Sequence, residues 1–307
     1  MIEISVVIPT YNNISVLKKT LLAFDAQNFD FNLFEVIVVN DGSSDNTLDL
    51  LKKLSRQLKI HLRIITQINS GPAKARNKGI LAARGKTIII VNDDVVPSSD
   101  LIKRHTDFHR LNSKKNIGLL GYVTWHNDLK VTPFMKWLED GGPYFSFSKI
   151  KGKIAGWERF WTCNISAKKI FLVENNLFDE NFPYAAWEDV EFGARLGTAG
   201  LKLFYDKKAI GYHYHPTSVE KIKKKMIANG ESVMLLKNKI NEDFLPPLAK
   251  RPYLAIILDN YLLNPFVFLI EYICKFFEDK IVIHPLYTLL LLHYRIVGLK
   301  KWWKSNR

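Results

Sequence analysis

Two aspartates stand side by side at the end of an apolar run, in "IIIVNDDVVP" from Ile88 to Pro97. Neighbouring carboxylates raise the cost of each other's ionisation, so a buried strand seldom ends in such a pair. Hard oxygen donors placed this way suit a divalent cation, Mg²⁺ or Mn²⁺, whose shell a substrate diphosphate completes. A further carboxylate, Asp41, closes the apolar run "EVIVVND" and would accept hydrogen bonds from a nucleotide base. Lys74 and Arg76 fall in the first turns of the next helical stretch. There they would meet phosphates or base carbonyls, reinforced by the positive end of that helix.

The elements that must hold these groups alternate along the first half. "ISVVIPTY", "FEVIVVND", "LRIITQ" and "KTIIIVND" read as strands. Between them lie three helical stretches: residues 14–28, which are amphipathic, "SSDNTLDLLKKLSRQL" capped by Ser44 or Asp45, and "SGPAKARNKGILAARG" with Pro72 in its first turn and Gly85 closing it. Alternation at this spacing predicts an α/β fold with a mainly parallel central sheet and helices on both faces. Ligands of such sheets sit outside the carboxyl ends of the strands. Three ends carry polar residues: Thr10, Tyr11 and Asn12; Asn40 and Asp41; Asn92, Asp93 and Asp94. Any one of them would simply begin a turn. Together, on one edge of one sheet, they outline a polar crevice.

The chain has 307 residues, 47% of them hydrophobic, enough for one large domain and an appendage. Cys163 and Cys274 are far apart and share no ligand spacing, which points to a reducing compartment without a disulfide framework or a zinc knuckle. The first residues, "MIEISVVIPTYNN", enter a strand directly, so no signal peptide is expected. The net charge is +14, and from Lys221 to Arg307 fifteen Lys or Arg face seven Asp or Glu. Mixed with aromatics, this basic excess suits an anionic membrane surface. No zinc-finger spacing or RNA-binding aromatic signature is present, so nucleic acid is not an expected partner.

The middle of the chain, about 113–186, is irregular and aromatic, with "GGPYFSFSKIKGK" and "GWERFWTCNIS". Its rings are expected in the core, with Trp157, Trp161 or Trp187 as the alternative platform for a sugar ring. A helix is expected from about Trp187, ended near Gly200, followed by a short strand. In the tail, "YLAIILDNYLLNPFVFLIEYIC" and "IVIHPLYTLLLLHYRIVGL" are long and apolar but interrupted by charges and prolines. They read as amphipathic helices that pack on each other or lie in a membrane interface, not as spans.

Taken in order, "VVIPTYNN", "EVIVVNDGSSDNT", "GPAKARNKGI", "NDD" with "VVP", "FDENFPYAAWEDVEFGARLGTAG" and "HYHP" resemble the family 2 glycosyltransferases, which have the GT-A fold. The resemblance spans residues 3–220. It implies a GT-A domain at 1–220, with a nucleotide-binding half (1–112) and an acceptor and catalytic half (113–220), ahead of a basic helical tail at 221–307. It implies that Thr10, Tyr11, Asp41 and Arg76 hold the nucleotide. Asp94 would bind the metal, Asp93 the ribose or a metal-bound water, and Asp189 would be the catalytic base. Trp187 and Glu188 would touch acceptor or donor sugar, and His213 would complete the metal site, with His215 competing. Asn92 departs from the family's usual first aspartate of the D-x-D motif.

The activity implied is metal-dependent, inverting transfer from a nucleotide-diphosphate-sugar to a glycan or lipid-linked acceptor. It would run in the cytoplasm, at the inner face of the plasma membrane, in cell-surface polysaccharide or glycolipid synthesis. The alternatives are a polyprenyl-phosphate sugar synthase, against which the "WED" segment argues, a sugar-1-phosphate nucleotidyltransferase, and a non-catalytic nucleotide-sugar-binding module. A nucleotidyltransferase would need a glycine-rich loop where "PTYNNIS" stands.

Overall fold

A computed structural model describes residues 1–140, 142 and 146–306, so part of "GGPYFSFSKIKGK" lies outside the described residues. The chain divides into two compact units, residues 1–128 with 149–215, and residues 129–148 with 216 onward. The boundary therefore falls at 215/216, beside the 220 read from sequence, and a stretch from the middle of the chain groups with the C-terminal helices.

The first unit contains β1 (Ile4–Thr10), α1 (Ile14–Phe24), β2 (Phe34–Asp41), α2 (Thr47–Leu54), β3 (His61–Gln67), α3 (Pro72–Ala82), β4 (Thr87–Val91), β5 (Val95–Pro97), α4 (Leu101–Leu111) and β6 (Ile117–Trp125). The second unit takes α5 (Pro133–Asp140), and the chain returns to the first for β7 (Ile154–Ala155), β8 (Asn164–Lys168), α6 (Lys169–Glu174), α7 (Glu188–Thr198) and β9 (Lys202–His213). The strand order in the sheet is β3-β2-β1-β4-β8-β6-β9-β5, with β7 also on β9. The block β3-β2-β1-β4 is parallel. Beyond it β8 runs antiparallel between β4 and β6, and β6 and β9 are again parallel.

The Val- and Ile-rich runs of β2 and β4 are buried at every residue, and β1 at all but one. That is what strands covered on both faces require. α3 packs on β1 and β2, α4 on β4 and β9, and α1 on β5. The pairings Thr10↔Asn40 and Asp41↔Gln67 bring the carboxyl ends of β1, β2 and β3 level. The pairing Val95↔His213 sets the end of β9 against the residues that follow β4.

Three expectations change in detail. α2 begins at Thr47, and Asp45, not Ser44, accepts from its backbone N–H (3.1 Å). α3 ends at Ala82, before Gly85. Gly85 lies against β1, where an added Cβ would come within 2.6 Å of the Ile4 and Ser5 backbone, and its N–H donates to the Ser5 hydroxyl (2.9 Å). The strand after α7 is twelve residues long, not short. Its register against β6 skips from Asp206 to Ile210, and the Asn164 amide donates to the Ala209 and Tyr122 carbonyls beside the irregularity, as buried backbone acceptors demand.

In the second unit α5 is joined by α8 (Val219–Ser232), α9 (Pro247–Lys250), α10 (Pro252–Leu258), α11 (Val267–Phe277) and α12 (His284–Ser305). α8 and α12 cross at Gly230, where a Cβ would lie on the Arg295 carbonyl. α12 thus buries Tyr287, Leu290, Leu291 and Tyr294. α10 and α11 run through a widened turn (Asp259–Leu263) and a tight one (Asn264–Phe266) as one helical segment, Pro252–Phe277.

Candidate active site

The crevice at the carboxyl edge is held by three sets of contacts. In the first, the Thr10 hydroxyl at the end of β1 donates to Asp93 Oδ2 (2.6 Å), and Thr20 of α1 donates to the Asp93 carbonyl (2.8 Å). The next residue, Asp94, turns to β9. Its carbonyl accepts from the Tyr214 N–H (2.7 Å), and its Oδ2 lies 3.2 Å from His213 Nε2 and 3.8 Å from His215 Nδ1. His213 is buried, with Trp125 edge-on at 5.3 Å, whereas His215 is exposed. The two aspartates therefore separate, Asp93 toward β1 and Asp94 toward the histidines.

In the second set, Arg76 of α3 is buried at 2% exposure and donates from Nη1 to Glu188 Oε1 (2.7 Å) and from Nη2 to Asn92 Oδ1 (3.4 Å). The phosphate role expected for Arg76 meets a guanidinium already engaged, and Glu188, expected to touch sugar, is 2% exposed on its partner. Trp187, the residue before α7, has φ +74°, the left-handed region that non-glycine residues occupy at some cost in strain. Asp189 follows in the first turn of α7, half-buried, with Oδ1 accepting from the Val190 N–H (2.8 Å).

In the third set, the buried carboxylate of Asp41 accepts from Gln67 Nε2 (2.7 Å), Ser70 N–H (2.9 Å) and Gly71 N–H (2.9 Å). These donors lead into α3, so Asp41 holds the start of that helix. Tyr11 is half exposed at the mouth of the crevice. Beside it Asn12, at φ +50°, accepts from the Ser44 N–H (2.8 Å) and ties the loop after β1 to the loop after β2.

Two carboxyls in this crevice titrate far from their usual range. Burial pushes Asp93 up to about 7, and the charge of Asp94 adds to it, against the Thr10 hydrogen bond. Burial likewise pushes Asp189 up to about 7, with Glu188 adding repulsion and Arg76 opposing. A carboxylate near neutrality suits proton transfer from a hydroxyl. Raised values at clustered carboxyls in a crevice mark candidate functional sites.

The donor set around Asp94 fits a divalent ion in part. One carboxylate oxygen with imidazole nitrogens beside it suits Mn²⁺ and, through the carboxylate, Mg²⁺. Among the described residues no three His, Cys, Asp or Glu side chains gather into an ion site of their own. Such a site relies on substrate oxygens and water for the remaining positions, as Mg²⁺ sites at nucleotides usually do.

Sequence reasoning missed three positioning side chains, Thr20, Gln67 and Asn77, and the backbone N–H groups of Ser70 and Gly71. Asn77 of α3 donates to the Phe178 carbonyl (2.9 Å) and to Glu180 (3.0 Å), and accepts from the Phe178 N–H, pinning the segment that leads to Trp187. Both sides lie inside motifs quoted above, "KARNKG" and "FDENF", but nothing in either names the other. Of the aromatic alternatives, Trp157 packs beneath α7, where a Cβ at Gly197 would come within 2.7 Å of its ring.

A curled, largely parallel sheet with acidic residues at its carboxyl edge, an acidic helix start beside them and C-terminal helices is the architecture of GT-A glycosyltransferases. Among solved structures with this fold, the mannosyltransferase PcManGT of Pyrobaculum calidifontis, in complex with GDP-Man and Mn²⁺, has a TM-score of 0.65 at 14% identity and covers 99% of this chain and 88% of its own. The chain belongs to glycosyl transferase family 2, whose profile matches residues 5–182. It is similar to the uncharacterized glycosyltransferase YfnE of Bacillus subtilis, at 28% identity over 267 residues, or 71% of this chain and 66% of that protein. It is also similar to a Methanococcus voltae enzyme, dolichyl N-acetyl-alpha-D-glucosaminyl phosphate 3-beta-D-2,3-diacetamido-2,3-dideoxy-beta-D-glucuronosyltransferase, at 25% identity over 306 residues, 94% of this chain and 91% of the other.

Proposed function

We propose that this glycosyltransferase moves a sugar, with inversion and with a divalent metal, from a nucleotide-diphosphate-sugar to a hydroxyl of a glycan or lipid-linked acceptor. The observation that carries the proposal is Asp189, a carboxyl pushed up to about 7 in the first turn of α7. It is joined through Glu188, Arg76 and Asn92 to the Asp93–Asp94 pair. Asp189 takes the acceptor proton as the acceptor oxygen bonds to the anomeric carbon and the bond to the diphosphate breaks. A single base serves inverting transfer, unlike the carboxyl pair of glycosidases.

Asp94 and His213 are the protein's donors to the ion, with His215 beside them, and Asp93 meets the ribose. A bound Mn²⁺ or Mg²⁺ supplies charge neutralisation for the departing diphosphate. Tyr11 covers the nucleotide, Thr10 and Asp41 hold its site in place, and Arg76 with Glu188 fixes the catalytic helix. Trp187 borders the sugar. A lipid-linked acceptor is supported by the M. voltae enzyme, whose match runs through the C-terminal helices. The basic, apolar C-terminal unit supports a cytoplasmic, peripheral place at an anionic membrane in cell-surface glycan or glycolipid synthesis.

The test is donor turnover, with and without Mn²⁺, across a panel of nucleotide sugars and lipid-phosphate-linked acceptors. Product that forms with Asp189→Asn at the wild-type rate would sink the base assignment. Transfer to polyprenyl phosphate itself, with no hydroxyl acceptor, would replace the proposal with the synthase activity.

A further inference from the structure

The helical segment Pro252–Phe277 is long and apolar enough to cross a membrane, yet only 6% of its most apolar window is buried. Large apolar side chains stand exposed along its length: Leu254, Ile257, Tyr261, Leu262, Phe268 and Leu269, each at least 45% exposed. Together they make an apolar ridge along the segment. Soluble surfaces rarely leave a contiguous apolar patch of this kind uncovered.

The charges of the segment decide what covers it. Its two acids face away from the ridge and are neutralised. Asp259 is fully buried, with His293 Nδ1 at 2.7 Å and Lys300 Nζ at 2.7 Å. Glu271 is bound by Lys223 (3.2 Å) and Lys275 (2.8 Å). Cations stand at both ends, Lys250 and Arg251 before the segment and Lys280 after it, with Asp279 exposed beside Lys280. Rings with polar edges stand toward its two ends, Tyr253 against Trp303 (4.6 Å) and Tyr272, stacked near Phe276. An uncharged ridge between basic ends, edged by Tyr and Trp, matches the acyl boundary and headgroups of an anionic bilayer. Two ion-paired acids and a turn at Pro265 within the segment suit a helix lying in the plane better than one crossing it.

We propose that Pro252–Phe277 is an in-plane anchor that inserts this ridge into an anionic membrane, its end cations on the lipid phosphates. The inference rests on the peripheral placement proposed above and deepens it, from attraction by charge to insertion by a defined face.

The test is flotation of the full chain with vesicles of phosphatidylcholine alone or mixed with phosphatidylglycerol, at low and high salt. The wild type is expected to float with the mixed vesicles and to keep part of its binding in high salt. Leu262→Glu/Leu269→Glu, on exposed positions, should bind at least tenfold more weakly with an unchanged Tm. Lys250→Glu/Arg251→Glu should lose the preference for anionic lipid. If the wild type floats with neither vesicle, peripheral placement and insertion both fall. If it floats, but salt strips it completely and the ridge variant floats equally well, the placement stands and insertion is overturned. If the wild type is a dimer without lipid and the ridge variant is a monomer, a second copy covers the ridge and the proposal is overturned.

Discussion

Arg76 and Glu188, 112 residues apart in sequence, meet in a 2.7 Å ion pair with both side chains about 97% buried. The pair fastens α3, which packs on β1 and β2, to the start of α7. A buried charge that loses its partner costs about 3–5 kcal/mol, more than the pair itself contributes. Arg76→Met and Glu188→Met should therefore each destabilise the protein by about 3 kcal/mol or more in urea unfolding. The double variant should recover much of that loss, because no unpaired charge remains. Two single variants that each cost less than about 0.5 kcal/mol would show that the pair does not hold the two halves together.

The same pair modulates the pH response of Asp189, which burial dominates. Burial and the neighbouring Glu188 charge raise its carboxyl to about 7, so it is protonated, and unable to act as a base, as pH falls through that value. The kcat/KM profile should have an acidic limb near pH 7. Glu188→Gln removes the like charge and should move that limb to lower pH. Asp189→Asn should reduce kcat by about 10²–10⁴-fold while donor affinity, read by calorimetry, stays within a few fold. A limb that stays put in the Glu188→Gln enzyme would mean that another group controls it.

Metal binding should expel a proton. Asp93 stands near 7 partly because Asp94 lies beside it, and a cation at Asp94 would reverse that repulsion. Titration of Mn²⁺ and nucleoside diphosphate near pH 7, in two buffers of different ionisation enthalpy, should show proton release. Asp94→Asn should abolish both the release and the metal-dependent part of diphosphate affinity. His213→Gln should weaken affinity, by about tenfold or more for a lost ligand. Equal heats in the two buffers would remove Asp93 from the linkage.

How much of this was legible in the sequence follows from the range of each interaction. β1, β2 and β4 could be read because a strand buried on both faces must be apolar throughout, and their polar ends could be read because the runs stop there. β9 was shortened because Asp206, Lys207 and Lys208 look like the end of a strand, whereas the chain bulges and resumes its pairing. Gly85 looked like a helix end because glycine often is one, and only the packed structure shows Ile4 and Ser5 against it. Asp41 was legible as an acceptor at the crevice edge, expected for a base, but the donors that occupy it come from the next strand and loop of the chain itself. Asp94 and His213 were paired only through the family resemblance, and the Val95↔His213 register is the physical cause. The Arg76–Glu188 contact carries no local signal, since neither residue's neighbours predict the other.

Acid should loosen the first unit for a reason remote from the crevice. His105 and His109 of α4 are buried behind β8, where Ser166 Oγ lies 2.7 Å from His105 Nδ1 and 2.8 Å from His109 Nε2, and Asn164 Oδ1 lies 3.0 Å from His105 Nε2. Burial holds His105 at about 4 and His109 at about 3, the latter also opposed by the charge of Lys168. An unfolded chain protonates the same rings from about pH 6.5 downward. Between these limits the unfolded state binds more protons, so stability is full above pH 6.5 and falls as pH drops toward 4. By pH 5 each ring should have cost up to about 2 kcal/mol. Urea midpoints at pH 7.5 and pH 5 should differ accordingly. His105→Gln keeps a hydrogen-bonding side chain that does not titrate, and it should reduce the difference between the two midpoints even if it lowers both. An unchanged difference in that variant would place the acid sensitivity elsewhere.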